Sequence, residues 1–377
     1  MKILIVSEFF PLSIKAEISG GVETRAYYVA KLLSKKHKIT ILTSQIKGSK
    51  KKERFDGFDV IRCGNIRQYS QKDAFLDRLS FMIYAYKIGK KLDFDIVDGY
   101  NFISYAPAYL IAKYKNKPSI ATYHDVWINQ WVKNIGITGL IMEILERYVL
   151  SRKWTRFITN SNFTKNNLIK VGIKKEIINT VYSGVELNNY KKLKVNKFKN
   201  PTVTTVARLV DYKRVNDLID AISIVKEKVP SIKCNIIGDG PERKNLEIQV
   251  KKLGLDNDIK FMGYVNHKIV IETLKKSHLF CLPSIVEGMG LVTVEAMACG
   301  TPYVNSRIAP QVEITKNGIG GILYTPKKPK ELANGIISLI MNERLYAKKK
   351  KESMKLVEEF DWINIVKKIE EVYSQLC

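Results

Sequence analysis

The stretch from Pro283 to Pro302, PSIVEGMGLVTVEAMACGTP, places two carboxylates, Glu287 and Glu295, on either side of a Gly-Met-Gly turn that leads into a short helix. Gly288 and Gly290 let the backbone approach a diphosphate. The same two glycines offer N–H groups where the helix begins, at the positive end of its dipole. Glu295, about two turns further on, is positioned to accept hydrogen bonds from ribose hydroxyls, while Glu287, in the loop, can face a hexose. The layout suits a sugar nucleotide. Gly300 then fits a left-handed C-cap, and Pro302 prevents the helix from continuing.

Cations for the phosphates come from the run ARLVDYKR, where Arg208 and Lys213 follow a strand at its C-terminal edge. Arg can grip phosphate oxygens bidentately and Lys acts as a point charge; on spacing alone the two also read as surface cations. The loop Gly238-Asp239-Gly240-Pro241 closes the next strand and starts a helix with Pro, and it reads equally as a turn. In the first half, Gly20-Gly21 precedes Val22-Glu23-Thr24 in the first strand-to-helix loop. Gly21 permits a close approach to an anion or hydroxyl, but the spacing is not that of a dinucleotide fingerprint. His124 ends a predicted strand in Thr122-Tyr123-His124-Asp125. A lone His often only satisfies local hydrogen bonds, yet a strand end is where such sheets bind ligands.

Two α/β units must position these residues. In the first half we expect strands at Lys2 to Val6, Ile39 to Thr43, Val60 to Arg62, Ile96 to Asp98, Ser119 to Tyr123, Phe157 to Thr159 and Thr180 to Tyr182, with a helix from about Val22 to Ser34. The β-α-β order implies a parallel sheet with right-handed crossovers. In the second half the pattern restarts with strands Thr202–Val206, Cys234–Ile237, Ile259–Phe261 and Leu279–Leu282, alternating with helices Asp217–Glu227, Glu242–Lys251 and Lys268–Lys275. The expected organisation is an N-terminal domain over 1–187, a polar linker over 188–200, a nucleotide-binding domain over 201–359 and a C-terminal segment over 360–377.

Bulk properties narrow the class. The 377 residues fit two domains, and 45% hydrophobic residues mark a globular chain. Five cysteines with no CxxC pair argue against a disulfide framework or zinc site and for reduced thiols. The start MKILIVSEFFP reads as a first strand and not a signal peptide, and no apolar run is long enough to span a bilayer. The expected location is therefore cytoplasmic. A net charge of +26, from 63 basic and 37 acidic residues, calls for an anionic neighbour. No RNP, zinc-finger or helix-turn-helix signature supports nucleic acid. An anionic membrane surface is the other candidate: Lys47 to Arg54 reads as a basic loop, Phe75 to Lys91 is aromatic with a basic end, and Asp125 to Val149 carries Trp127, Trp131 and an apolar run. Such apolar stripes also read as helices packed on their own sheet.

Together and in this order, these motifs resemble family 4 of the retaining glycosyltransferases. The matching pattern is Gly20-Gly21, His124-Asp125, Ser183 to Glu186, Arg208-Leu209 with Lys213, Gly238 to Pro241, Phe261 to Val265, the Glu-x7-Glu stretch from Glu287 to Glu295, and Phe360-Asp361-Trp362 before the last helix. Met289 stands where that family usually has Phe. The resemblance implies the GT-B fold: two Rossmann-like doubly wound parallel-sheet domains facing across a cleft, with the last helix crossing back to the first domain.

It also implies that Arg208 and Lys213 bind the diphosphate of a UDP-, GDP- or ADP-linked sugar and that Glu295 binds the ribose. Glu287 would contact the transferred sugar, His124 would approach it from the other domain, and Gly21 would lie near phosphate or acceptor. Gly238 and the segment from Gly288 through Met289 and Gly290 to Leu291 complete the donor site. The implied reaction uses no cofactor and needs no metal, because the two cations neutralise the leaving diphosphate. The acceptor is a hydroxyl on a glycan, lipid or lipid-linked intermediate, which places the enzyme peripherally on the inner face of the cell membrane. A sugar-nucleotide epimerase of the same fold and a non-catalytic protein binding anionic lipid are the alternative readings.

Overall fold

Unbroken apolar runs such as KILIVS and LFCL become buried parallel strands, as expected where both faces of a sheet are covered. A computed structural model describes residues 1–12, 20–68, 75–132, 136–137 and 139–377. The chain forms two units, Met1–Ser183 with Trp362–Cys377, and Gly184–Asp361.

The first unit runs β1 (Lys2–Ser7), α1 (Gly21–Leu33), β2 (Lys38–Ile46), β3 (Lys52–Phe55), β4 (Phe58–Arg67), α2 (Phe75–Gly89), β5 (Ile96–Gly99), α3 (Phe102–Lys115), β6 (Ser119–Tyr123), α4 (Gly139–Leu150), β7 (Arg156–Thr159), α5 (Asn162–Lys170) and β8 (Ile178–Thr180). Its sheet has the order β3-β4-β2-β1-β5-β6-β7-β8, parallel except for the antiparallel β3–β4 pair. The expected basic loop over Lys47 to Arg54 is thus partly the edge strand β3, joined to β4 by Asp56-Gly57, both at positive φ. The Asp-Gly pair is the sequence signal for that hairpin. The strand expected at Thr180 to Tyr182 lies two residues earlier, because pairing with β7 runs from Phe157↔Ile178 to Thr159↔Thr180.

The second unit runs α6 (Leu187–Lys192), β9 (Thr202–Val206), α7 (Val215–Lys228), β10 (Lys233–Ile237), α8 (Arg243–Lys252), β11 (Ile259–Gly263), α9 (His267–Lys276), β12 (Leu279–Leu282), α10 (Leu291–Ala298), β13 (Tyr303–Ser306), α11 (Ala309–Ile314), β14 (Gly321–Tyr324), α12 (Pro329–Met341) and α13 (Glu343–Leu356). Its strands are all parallel, in the doubly wound order β11-β10-β9-β12-β13-β14. Strands β13 and β14 are not among the expected ones; YVNS and GILY are too short, and too close to Pro and Gly, to stand out in sequence.

Two boundaries differ from those expected. The units divide at Ser183/Gly184 and Asp361/Trp362, because Val185 N–H donates to Phe360 O (2.8 Å) and Val185 bridges to Asp361, which binds both strips of chain to the second unit. Residues 188–200 are not a free linker: α6 buries Leu187 and Tyr190 within that unit. The last helix, α14 (Trp362–Ser374), belongs to the first unit. It buries Trp362, Ile365, Val366, Ile369, Val372 and Tyr373, a stripe at helical spacing, against Ile3, Ile5 and Ala30, and Trp362 stacks on Tyr28 of α1 at 5.4 Å. All five cysteines are free, four of them buried.

Candidate functional site

In the second unit the strand order reverses between β9 and β12, the place where doubly wound sheets leave a crevice beyond the strand ends. The chain leaving β9 carries Arg208 and Lys213, and the chain leaving β12 carries Glu287. Ile285 N–H donates to Tyr212 O (2.9 Å), which clamps the two exits together. Lys213 Nζ then donates to Glu287 Oε1 at 2.6 Å, with both side chains largely buried, while Arg208 is exposed and has no side-chain partner among the described residues. One cation is therefore held by a carboxylate and the other is open to an anion.

The Gly-Met-Gly turn is held from below. Gly290 sits at φ 84°, a left-handed conformation that favours glycine, and a Cβ there would lie 2.0 Å from Gln311 Nε2. Gln311 Nε2 donates to Met289 O (3.4 Å), and its Oε1 accepts from Thr293 Oγ1 and Asn305 Nδ2, each at 2.9 Å. Asn305 Oδ1 in turn accepts from Leu282 N–H at the end of β12 (2.8 Å). Thr293, Asn305 and Gln311 are fully buried, so the strand end, the turn and the first turn of α10 share one polar network. Met289 is buried with them.

Glu295 lies on α10 with its side chain mostly buried and bonds His267 Nε2 at 2.8 Å. His267 opens α9, whose N-cap Asn266 accepts from Ile269 N–H at 2.9 Å. The loop Gly238 to Pro241 has a packing reason for its glycines: a Cβ on Gly238 would meet Ala207 O at 1.9 Å, and one on Gly240 would meet Leu209 O at 2.3 Å. These backbone approaches seat the β10 exit against the segment that leads to Arg208.

Gly21 and His124 belong to the first unit. Gly21 is the first residue of α1, and the loop before Gly20 lies outside the described residues. His124 follows β6; its Nε2 is buried without a hydrogen-bond partner among the described residues. Burial, and then the neighbouring Arg25 guanidinium, push its pKa down to about 3, so the ring is neutral at physiological pH. Arg25, on α1, is fully buried and donates to Val181 O and Tyr182 O, each at 2.9 Å, and to Ser183 Oγ at 3.3 Å. Asp98, at the β5 end, accepts from Thr122 Oγ1 (2.8 Å) and Tyr373 Oη (2.7 Å), and burial raises its pKa to about 7.

Asn305, Gln311, His267 and Arg25 are not among the residues that sequence reasoning picks out. A polar residue at each strand end, Asn305 after the apolar start of β13 for example, is the signal that was available for the network. Among the described residues no group of three or more His, Cys, Asp or Glu side chains is placed to hold a metal ion, and no helix is long and apolar enough to cross a membrane. The two segments with membrane-like composition do carry exposed apolar faces: Phe75, Leu76, Leu79, Ile83 and Tyr84 on α2, and Leu140, Ile141, Ile144 and Tyr148 on α4. Residues 133–135 and 138 of the second segment lie outside the described residues.

Residues 188–372 match the family described as Glycosyl transferases group 1, and residues 19–189 match Glycosyltransferase Family 4. An uncharacterized glycosyltransferase of Methanocaldococcus jannaschii is 29% identical over 310 residues, 79% of this chain and 81% of that protein. One component of human phosphatidylinositol N-acetylglucosaminyltransferase is 24% identical over 382 residues, 99% of this chain and 76% of that protein. Among solved structures, Anabaena HepE in complex with UDP and glucose superposes with a TM-score of 0.77 at 21% identity, covering 100% of both chains.

Proposed function

This chain belongs to the glycosyl transferases of group 1, family 4 type, with the GT-B fold, and from that premise we propose that it moves a sugar from a nucleoside-diphosphate donor to an acceptor hydroxyl with retention at the anomeric carbon. The observation that carries this reading is the Lys213–Glu287 pair at the β9/β12 switch point, with Arg208, which has no side-chain partner among the described residues, on the same strand exit as Lys213. Arg208 takes the diphosphate first, and Lys213 turns from Glu287 to the phosphate next to the sugar, which frees Glu287 to hold a sugar hydroxyl. Glu295 binds the ribose. Gly288 and Gly290 keep the backbone low enough for the diphosphate to reach the start of α10.

In the reaction the bond between the anomeric carbon and the phosphate oxygen breaks, the acceptor oxygen bonds to that carbon on the same face, and the acceptor proton passes to the departing phosphate oxygen. The two cations stabilise the charge that develops on the diphosphate, with no metal called for, and preorganised charge of this kind is usually the largest catalytic contribution. Binding of UDP by a structural relative supports a nucleotide donor.

The test is thermal stability with UDP, GDP, ADP and their sugars, wild type against Lys213→Ala. One nucleotide at a hundred times its Kd adds about 2.7 kcal/mol, and the variant loses that gain. A protein that responds to none of the three has no such donor site. For the acceptor, we propose a lipid or lipid-linked hydroxyl reached at an anionic membrane surface, supported by the exposed apolar faces of α2 and α4 and by the lipid named in the human relative. Co-sedimentation with anionic vesicles at low salt, lost on Leu140→Glu with Ile144→Glu, is the expected result. Failure of the wild type to sediment removes this part of the proposal.

A further inference from the structure

A basin of about 830 Å³ opens in the second unit, walled by α6 and the strand of chain after it, the C-terminal ends of α9 and α10, and α13. None of Arg208, Lys213, Glu287 or Glu295 lines it, so it is separate from the candidate donor site. Its volume falls within the range of small-molecule sites, about 300–1,000 Å³.

Its lining is one-signed. Lys191, Lys194, Lys197, Lys275, Lys276 and Lys350 face it, and no Asp or Glu does. Among the described residues only Lys276 of the six is ion-paired, with Glu272 at 2.5 Å. Two of the others serve the fold: Lys197 Nζ donates to Ser277 O at 2.5 Å, and Lys275 Nζ donates to Leu193 O. Lys191, Lys194 and Lys350 are exposed and do neither. The cations feel one another: burial, then Lys350 and Lys275, lower the Lys197 pKa to about 8. A surface that gathers uncompensated like charge around a concavity is stabilised by an anion that enters it. Gly300, just after α10, brings that helix end beside α13: a Cβ there would sit 3.3 Å from Met354 Sδ and 3.6 Å from Lys350 Cε.

We propose that this basin is a second anion site, for a ligand with clustered phosphates, used independently of the donor. Lys194, from the chain after α6, and Lys350, from α13, meet the phosphates, Lys191 adds charge, and Lys197 and Lys275 stay held by backbone carbonyls. The phosphates belong either to a free polyphosphate or to a phosphorylated lipid headgroup; both present the same chemistry to the lysines.

The test is calorimetric titration of sodium tripolyphosphate into the full chain at low salt. The wild type and Arg208→Gln, which lacks the open cation of the donor site, both bind in the basin. Lys194→Gln with Lys350→Gln weakens that event at least tenfold, whereas the charge-matched pair Lys50→Gln with Lys51→Gln, exposed lysines of the first unit, leaves it unchanged. Absence of binding, equal weakening by the two pairs, or loss in Arg208→Gln alone overturns the proposal. Vesicles containing phosphatidylinositol 4-phosphate separate the sources. Co-sedimentation lost in the Lys194/Lys350 variant and kept in the Lys50/Lys51 variant assigns a headgroup, and tripolyphosphate binding with no such loss assigns a free anion.

Discussion

Lys213 and Glu287 stand 74 positions apart in sequence and 2.6 Å apart in space, each at the exit of a strand beside the switch point of its sheet. Neither residue is independent of the other. Removing one leaves a largely buried opposite charge without its partner, which costs more than removing both. Unfolding of Lys213→Met, Glu287→Leu and the double variant in urea should give a coupling of about 1.5–3 kcal/mol, the range of a hydrogen bond between charged groups. Additive losses would mean that the pair is not formed in solution.

The turn between the two glutamates couples stability to nucleotide binding at one glycine, whereas the glycine that ends the helix affects stability alone. Gly290→Ala places a side chain at φ 84° and against Gln311 Nε2, whose displacement breaks its bond to Met289 O. We expect a loss of about 1–3 kcal/mol and weaker nucleotide binding. Gly300 also has positive φ, 65°, but the nearest atom to an added Cβ is Met354 Sδ at 3.3 Å, the end of a flexible side chain. Gly300→Ala should lower Tm while the nucleotide-induced shift stays as in wild type.

Asn305 carries a prediction of its own because it ties β12 to β13 and to Gln311. Asn305→Leu removes both amide groups, stranding Leu282 N–H in a dry interior and leaving Gln311 Oε1 with Thr293 Oγ1 as its remaining donor. An unsatisfied buried group costs about 1–3 kcal/mol. The variant should also raise KM for the donor, since the support of the Gly-Met-Gly turn is lost. A stability loss with unchanged KM would separate Asn305 from the site.

Much of this organisation was legible in the chain. Ser119–Tyr123, Thr202–Val206 and Leu279–Leu282 are strands at the residues expected, because short β-rich runs end at polar or Pro punctuation. Arg208, Lys213 and Glu287 could be placed at strand exits for the same reason. What could not be read is what depends on another element. Lys213 is held by Glu287 only because β9 and β12 are neighbours, and a strand order is not written in either strand. Gln311 looks like an ordinary polar residue after Pro310 until β13 brings it beneath Met289. The lysines after α6 read as a linker because polarity marks exposure in sequence, whereas here they wall a basin.

His124 makes the stability of the protein depend on pH in a direction that can be calculated. Its folded pKa of about 3 lies below the ordinary value of 6.5. The unfolded chain therefore takes up a proton at this residue as pH falls through 6.5, and the folded chain does not until about pH 3. The stabilising contribution of the neutral ring is complete above pH 6.5 and is lost progressively as pH falls toward 3. The groups that face it electrostatically are Arg25, which opposes its charge, and the backbone of Tyr100, which favours it. Asp98 and Glu146, both raised to about 7, oppose this trend, losing stability as pH rises from the carboxylate range toward 7. Comparison with His124→Gln cancels them, because they are present in both proteins. Between pH 7.5 and 5.0 the wild type should lose about 2 kcal/mol more stability than the variant, 1.36 kcal/mol for each unit below 6.5. Urea midpoints at four pH values across that range give the measurement. Parallel pH curves for the two proteins would show that the folded state protonates His124 at an ordinary pKa, and the neutral ring assigned to it would have to be abandoned.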